Sequence, residues 1–267
     1  MIGAGGALVA PWAAAGWLIR GGWEAAGRAV DALAFPPICP ICDADAEGSA
    51  FCPGCRGELL GASGPACARC AMPIGPFAAE SGGCSECRGR PLGFDGAIAL
   101  GPYQGPIRHL CLMLKHERNA WIARWLAEVV AEGRRGAIGA EVAAGSGPGA
   151  WVVPVPLHWR RRLGRGYNQA EALGLGLGRA LGLEVRPALR RAVATPTLAL
   201  AGRSERARLM KGAFRARRRP GLRGRTVLLV DDILTTGATA GAAARALKRA
   251  GAGRVVVVVV GRAEGKP

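Results

Sequence analysis

Four apolar residues, Val227–Val230, run directly into two consecutive acids, Asp231 and Asp232, and then into a hydroxyl-rich turn followed by an alanine-rich stretch. An unbroken β-branched and leucine run of this kind reads as a strand buried on both faces, the pattern of a parallel sheet covered by helices on each side. Open α/β sheets bind ligands beyond the carboxyl ends of their strands, which is where the two acids stand. Leu234, Thr235, Thr236, Gly237, Ala238 and Thr239 form the turn, and Ala240–Ala250 has the composition of a helix. Amides of such a turn, three threonine hydroxyls and the positive end of a helix dipole converge on one anion, with Gly237 permitting close approach. Two carboxylates beside an anion cradle need a second role, and accepting hydrogen bonds from vicinal hydroxyls supplies it. A plain strand-to-helix turn capped by threonine is the simpler alternative, but it requires only one of these residues. No Gly-x-x-x-x-Gly-Lys-Ser/Thr run is present, which excludes a P-loop nucleotidase.

Eight of nine cysteines form four Cys-x-x-Cys pairs: Cys39/Cys42, Cys52/Cys55, Cys67/Cys70 and Cys84/Cys87. Two such knuckles complete a tetrahedral Zn²⁺ site with no open position, so the sites are structural. Sequential pairing gives one zinc to Cys39, Cys42, Cys52 and Cys55 and another to Cys67, Cys70, Cys84 and Cys87; crossed pairing uses the same ligands. Disulfides or redox dithiols are the competing reading. Cys111, inside an apolar run, reads as core, and His109, His116 and His158 lack metal-ligand spacing.

The chain of 267 residues carries a formal charge of +17, yet only four of its 36 basic residues are lysines. Residues 160–225 hold 18 Arg or Lys against three Glu, so the basicity is local and would face a polyphosphate, a polynucleotide or both. Residues 1–19 are uncharged, but Pro11 and several glycines interrupt them and no basic residue stands before their apolar part. A packing helix over Trp12–Ala34 is expected rather than a membrane span, with the protein in the reducing cytoplasm.

Elsewhere the patterns predict a strand over Phe94–Tyr103, one helix over Arg108–Ala131, a loose linker over Gly133–Gly149 and a strand over Trp151–Leu157. A helix over Asn168–Leu181, weakened by Gly174, Gly176 and Gly178, a short strand over Leu183–Ala188 and a strand over Arg254–Gly261 follow. Alternation of this kind implies a parallel sheet.

The stretch Val227–Thr239 resembles the phosphoribosyl pyrophosphate (PRPP) signature of type I phosphoribosyltransferases. Together with the cysteine pairs, Tyr103-Gln-Gly-Pro-Ile-Arg108, Leu114-Lys115, Val153-Pro-Val-Pro-Leu157, Arg165-Gly-Tyr-Asn-Gln169 and Lys211-Gly-Ala-Phe214, it is similar to the ComF family from about Phe35 onward. The resemblance implies an α/β type I phosphoribosyltransferase-like parallel sheet with helices on both faces, preceded by a small four-cysteine zinc-ribbon module. The division is then a helical segment over 1–34, a double zinc ribbon over 35–92 and a phosphoribosyltransferase-like domain over 93–267. Asp231 and Asp232 would hold ribose hydroxyls and Leu234–Thr239 the 5-phosphate, with Mg²⁺ accompanying PRPP. Arg160, Arg161, Arg162 and Arg165 would neutralise departing pyrophosphate, and Arg203, Arg206 and Lys211 would close over it. Asn168 and Gln169 would fix the Arg-Gly-Tyr loop. The family's link to competence implies partners in the DNA-uptake machinery; the alternative is a non-catalytic adaptor for single-stranded DNA that uses the basic segment. This chain departs from the family at Leu198 and Leu209, where Gln and Asn are usual, so the hood over the site is its least family-like part.

Overall fold

A computed structural model describes residues 38–46, 48–75, 83–158, 164, 166–193, 209–210, 212–217 and 221–264. The helix expected over Trp12–Ala34, together with Arg160, Arg161, Arg162, Arg165, Leu198, Arg203, Arg206 and Lys211, lies outside the described residues. The chain divides into two compact units, residues 1–52 and 53–267.

In the first unit a knuckle closes on itself: Ile38 and Asp45 form an antiparallel bridge, the Cys39 amide donates to Ala44 O (2.8 Å), and the Asp43 amide donates to Cys39 O (2.9 Å). Near the start of the second unit the same design recurs, with an Ala66–Pro73 bridge and amides of Cys67 and Ala71 donating to Met72 O and Cys67 O at 2.8 and 2.7 Å. Each knuckle turns on a left-handed residue just after its second cysteine, Asp43 (φ 60°) and Ala71 (φ 57°).

The second unit opens with α1 (Pro53–Gly61) and continues through β1 (Gly96–Pro102), α2 (Gly105–Met113), α3 (Ile122–Gly133), α4 (Arg135–Ala143), β2 (Ala150–Pro154), α5 (Gln169–Leu181) and β3 (Glu184–Val185). A short ribbon, β4 (Leu189–Arg191) with β5 (Phe214–Ala216), precedes β6 (Thr226–Leu234), α6 (Ala238–Arg249) and β7 (Arg254–Arg262). The expected parallel sheet is found, in the order β1-β7-β6-β2-β3, with every pair parallel. The sheet steps from β2 to β3 in one direction and from β6 to β7 in the other. Right-handed crossovers therefore send α5 and α6 to opposite faces. Leu173 and Leu177 of α5, with Ala127 and Val130 of α3, cover Val230, Val258 and Val260. On the other face Ala240, Ala243, Ala244 and Leu247 of α6 join Val227, Leu229, Val255, Val257 and Val259.

Three local expectations are corrected. The helix expected over Arg108–Ala131 is two helices, because the Asn119 side-chain amide donates to Met113 O (3.0 Å) and a 3₁₀ turn, Glu117–Asn119, intervenes. A side chain that satisfies a terminal carbonyl competes with continued helix. The linker expected over Gly133–Gly149 contains α4, whose Ile138 is buried and whose Glu141 pairs with Arg254 at 2.6 Å. The β6 strand runs past Val230 to Leu234, so both acids lie inside it rather than at its end.

The glycines of α5 serve close packing. A Cβ on Gly176 would stand 2.8 Å from Ala127 Cβ and 3.2 Å from Arg124 Cα, and one on Gly178 would stand 2.9 Å from Leu183 O. Asn168 caps the helix by accepting from the Ala170 amide (3.2 Å), and left-handed Gly182 (φ 66°) ends it. Alanine is the better helix former by about 1 kcal/mol, but overpacking a rigid helix pair costs about 1–3 kcal/mol. Gly176→Ala is therefore expected to lower the urea midpoint of unfolding; an unchanged or raised midpoint would show that α3 and α5 can separate freely.

Candidate phosphate site and zinc ribbons

Strand β2 pairs with β6 only as far as Pro154 opposite Val230, after which the Val155 amide makes a last bond to Val230 O (2.9 Å). On its other side β6 continues against β7 through Asp231–Val259, Ile233–Gly261 and Leu234–Arg262. Asp231 and Asp232 thus stand on a strand extension with β7 on one flank and the divergence of β2 on the other, the crevice where the order of such sheets reverses. Both acids are half-buried, as are Thr235, Thr236, Gly237, Ala238 and Thr239, while Leu234 is buried. Gly237 takes the left-handed conformation (φ 78°) and starts α6. First-turn amides of α6 have no intrahelical acceptor and face the same end of the sheet as the acids. Thr236 Oγ1 accepts from the Ala238 amide (3.4 Å), and the Thr239 hydroxyl donates to Met210 Sδ (3.9 Å).

Burial, followed by the charge of Asp232, pushes the Asp231 carboxyl well above the usual carboxylate range, with the Arg191 guanidinium as a weaker opposing influence. Burial raises Asp232 as well, against its hydrogen bond with Asp231, the Ile233 amide (2.8 Å) and the charge of Lys115. Left to themselves, the two acids favour retaining a proton. Any group that brings positive character or two hydroxyl donors replaces that proton and relieves the repulsion, so the pair fits a sugar diol or a cation carried with one.

The contacts of Cys111 and Tyr103 with the pair escape a reading of the sequence. Cys111 is core, as expected, yet its thiol points at Asp232 O (3.9 Å), and burial with the Asp232 charge pushes its pKa up. Burial, then the charge on Cys111, raises Tyr103. Tyr167 of the Arg-Gly-Tyr segment donates its hydroxyl to Leu114 O, and Asn168 Nδ2 donates to Val155 O (3.1 Å), which fixes that segment against the end of β2. Gln169 is buried, and its Nε2 has no hydrogen-bond partner among the described residues. In the basic segment, Arg225 and Arg186 stack on Trp151 at 4.8 and 5.7 Å, and Arg225 also binds Gly221 O and Pro148 O, so these two are structural.

The cysteines gather as sequential pairing requires: ligand sulfurs of Cys39, Cys42, Cys52 and Cys55 lie within 4.8 Å of one another, as do those of Cys67, Cys70, Cys84 and Cys87. Individual separations are 3.6 Å (Cys42–Cys52), 3.7 Å (Cys67–Cys87), 3.5 Å (Cys70–Cys84) and 3.9 Å (Cys84–Cys87). A tetrahedron with Zn–S bonds of about 2.3 Å has an edge of about 3.8 Å, so the quartets fit zinc, and a disulfide needs sulfurs about 2 Å apart. Burial raises the Cys67 thiol, but hydrogen bonds from the amides of Cys84, Cys70 and Arg69 outweigh it and bring it down to about 7. These are four-ligand zinc-binding sites with no position left for substrate.

The sheet, its acid-bearing strand and the two cysteine quartets define a phosphoribosyltransferase-fold protein with a double zinc ribbon. Residues 30–88 match the double zinc ribbon domain and residues 188–266 the phosphoribosyl transferase domain. Competence protein F of Haemophilus influenzae is 29% identical over 215 residues, 80% of this chain and 90% of that protein. DNA utilization protein YhgH of Escherichia coli is 32% identical over 179 residues, 65% of this chain and 75% of that protein. The chain belongs to the ComF/YhgH family. A shorter match, 60% identical over 40 residues, links 14% of this chain to 22% of the adenine phosphoribosyltransferase of Mycobacterium marinum. Among the described residues no helix is long and apolar enough to cross a membrane.

The raised Asp231 pKa carries a stability consequence. Between the ordinary carboxylate pKa of about 3.9 and the higher native value, the folded chain holds a proton that the unfolded chain releases, so stability falls as pH rises. Asp231→Asn removes that loss. Its melting temperature should exceed that of the parent by at least about 2 °C at about pH 8, with the difference shrinking as the pH falls towards the ordinary carboxylate value. A variant less stable than the parent under the alkaline condition would mean that the protein already compensates the carboxylate.

Proposed function

We propose that this protein binds PRPP, or a related ribose 5-phosphate, with Asp231 and Asp232 on the ribose hydroxyls and the Leu234–Thr239 turn on the 5-phosphate. The observation that carries the reading is the acid pair on the extension of β6 beyond the end of β2, immediately before an amide-lined turn at the start of a twelve-residue helix. Membership of a family that shares the phosphoribosyl transferase domain supports it. In phosphoribosyl transfer the bond from ribose C1 to pyrophosphate breaks, the leaving group takes the electron pair, and a nitrogen acceptor or water forms the new bond to C1. The ring gains positive charge in between, and carboxylates beside its hydroxyls favour that state. Mg²⁺ carried by the pyrophosphate would supply charge neutralisation there. Arg160 and Arg165 follow β2 in the chain, and with Arg191 they supply cations for the leaving group. Competence protein F and DNA utilization protein YhgH are named for competence and for the use of DNA. We assign this chain the same setting, inside the cell and beside the uptake machinery.

Calorimetry of zinc-loaded protein with Mg²⁺ and PRPP should give saturable binding that Asp231→Asn with Asp232→Asn abolishes. Equal binding by the double variant would end the proposal, and since neutralising Asp231 is expected to stabilise the fold, unfolding would not explain a loss.

A second reading, as a single-stranded DNA adaptor, is favoured by the β4–β5 ribbon, where exposed Arg190 and Arg215 stand directly opposite each other and Arg217 follows. Like charges in register repel, and a polyanion laid across them turns the repulsion into binding. Arg190→Ala with Arg215→Ala should weaken single-stranded DNA binding and flatten its salt dependence by roughly 1.4 in log–log slope, about 0.7 for each phosphate contact. An unchanged slope would remove the ribbon from the interface.

A further inference from the structure

We propose that Arg262 couples the second zinc ribbon to the phosphate turn, so that filling the ribbon and filling the turn stabilise each other. The coupling rests on the reading of Leu234–Thr239 as a phosphate site.

Arg262 is the last residue of β7, in register with Pro102 of β1 and Leu234 of β6, and it is 5% exposed. Its guanidinium is held by main-chain carbonyls: Nε donates to Cys70 O (2.7 Å), and Nη1 donates to Leu234 O (3.0 Å), Thr235 O (2.8 Å) and Ala263 O. Cys70 belongs to the second cysteine quartet, and Leu234 and Thr235 open the phosphate turn. One planar fork thus fixes the distance between a zinc ligand's backbone and the turn's backbone, which a single ammonium on a flexible stem cannot do as well.

The surroundings leave little slack. Cys70 and Cys87 face Leu234–Gly237 across a gap of about 10 Å³, at the lower limit of space for one water. Arg69 stiffens the ribbon from within, donating to Cys87 O (3.3 Å) and Arg90 O (3.1 Å). Without a cation four thiols are released from one another, and a displaced Cys70 carbonyl would take Arg262 with it, leaving the Thr235 carbonyl to rotate. The amide that follows each carbonyl rotates with it, so the loss would reach the donors that face phosphate. Arg262 also places a full positive charge beneath the turn, and burial preserves its field. Arg262 is a positioning residue on this account, since it acts through Thr235.

Thermodynamic coupling is reciprocal, and this gives a readout that a purely structural role would not move. Zinc release from the full chain to a chromogenic chelator would be followed with and without ribose 5-phosphate, while calorimetry reports binding of the same compound. Cys42→Ser, at an exposed ligand position, assigns the phase that belongs to the first ribbon. Ribose 5-phosphate should slow release from the second ribbon by at least about fivefold, the lower end of ordinary couplings, and leave the first unchanged. Arg262→Met should keep both zincs and lose the protection, and Arg262→Lys should restore part of it. In the reverse arm, wild-type chain depleted of the second zinc should bind ribose 5-phosphate more weakly by the same factor, a test that needs no Arg262 variant. Binding without protection, or equal protection in Arg262→Met, overturns the coupling alone; no binding to the wild-type chain overturns the phosphate-site reading and the coupling with it.

Discussion

Burial of two adjacent acids, Asp231 and Asp232, is the constraint at the carboxyl edge of this sheet on which the site depends. Neighbouring carboxylates on one strand ordinarily point to opposite faces, and each finds water. Here burial raises both, and the charge of Asp232 raises Asp231 further, so the pair stands at a cost that only a proton, a cation or hydroxyl donors can lower. The sheet tolerates this because β7 continues to pair with β6 as far as Leu234–Arg262 after β2 has ended at Pro154. A strand supported on one flank can stay ordered beyond the end of its other neighbour.

The second zinc ribbon is part of the same construction. The Ala97 amide on edge strand β1 donates to Ala68 O (3.0 Å), which covers an edge that would otherwise invite another strand. Two residues on, the Cys70 carbonyl receives Arg262. The ribbon therefore touches the sheet at its edge and at the end of β7, and its small buried core is built on Cys67, Cys70 and Cys87, which a bound zinc would tie together. Small modules with few apolar residues generally depend on such a staple.

The central strands are legible in the sequence because Val227–Val230 and Val255–Val260 are unbroken apolar runs, all of them buried, that pair in register from Thr226–Arg254 onward. The acids, the threonine turn and the cysteine pairs are equally plain, since each depends on residue type and short spacing. What escapes is set by contacts that residue type does not announce. Asn119 ends a helix by reaching back to Met113, and the glycines of α5 look unfavourable until α3 is laid against them. Helix α4 is hidden by Gly136 and Gly139, which stand in open space and do nothing for packing. Arg262 gives no signal, because its carbonyl partners carry no side-chain identity and lie up to 192 residues away.

On the proposed reading the acid pair would also separate two kinds of ligand that a basic protein could attract. A DNA backbone offers phosphate but no vicinal hydroxyls, since its 3′ oxygen is esterified and its 2′ position is bare. Beside Asp231 and Asp232 it would meet carboxylates that it cannot satisfy and would be repelled by any charge they hold. On the proposed reading a free ribose 5-phosphate would bring both halves, hydroxyl donors for the acids and an anion for the amides of α6. On the two proposed readings a polynucleotide would use the exposed arginines of the β4–β5 ribbon rather than the crevice. The two proposed ligands would then use different surfaces, and binding of one would not displace the other.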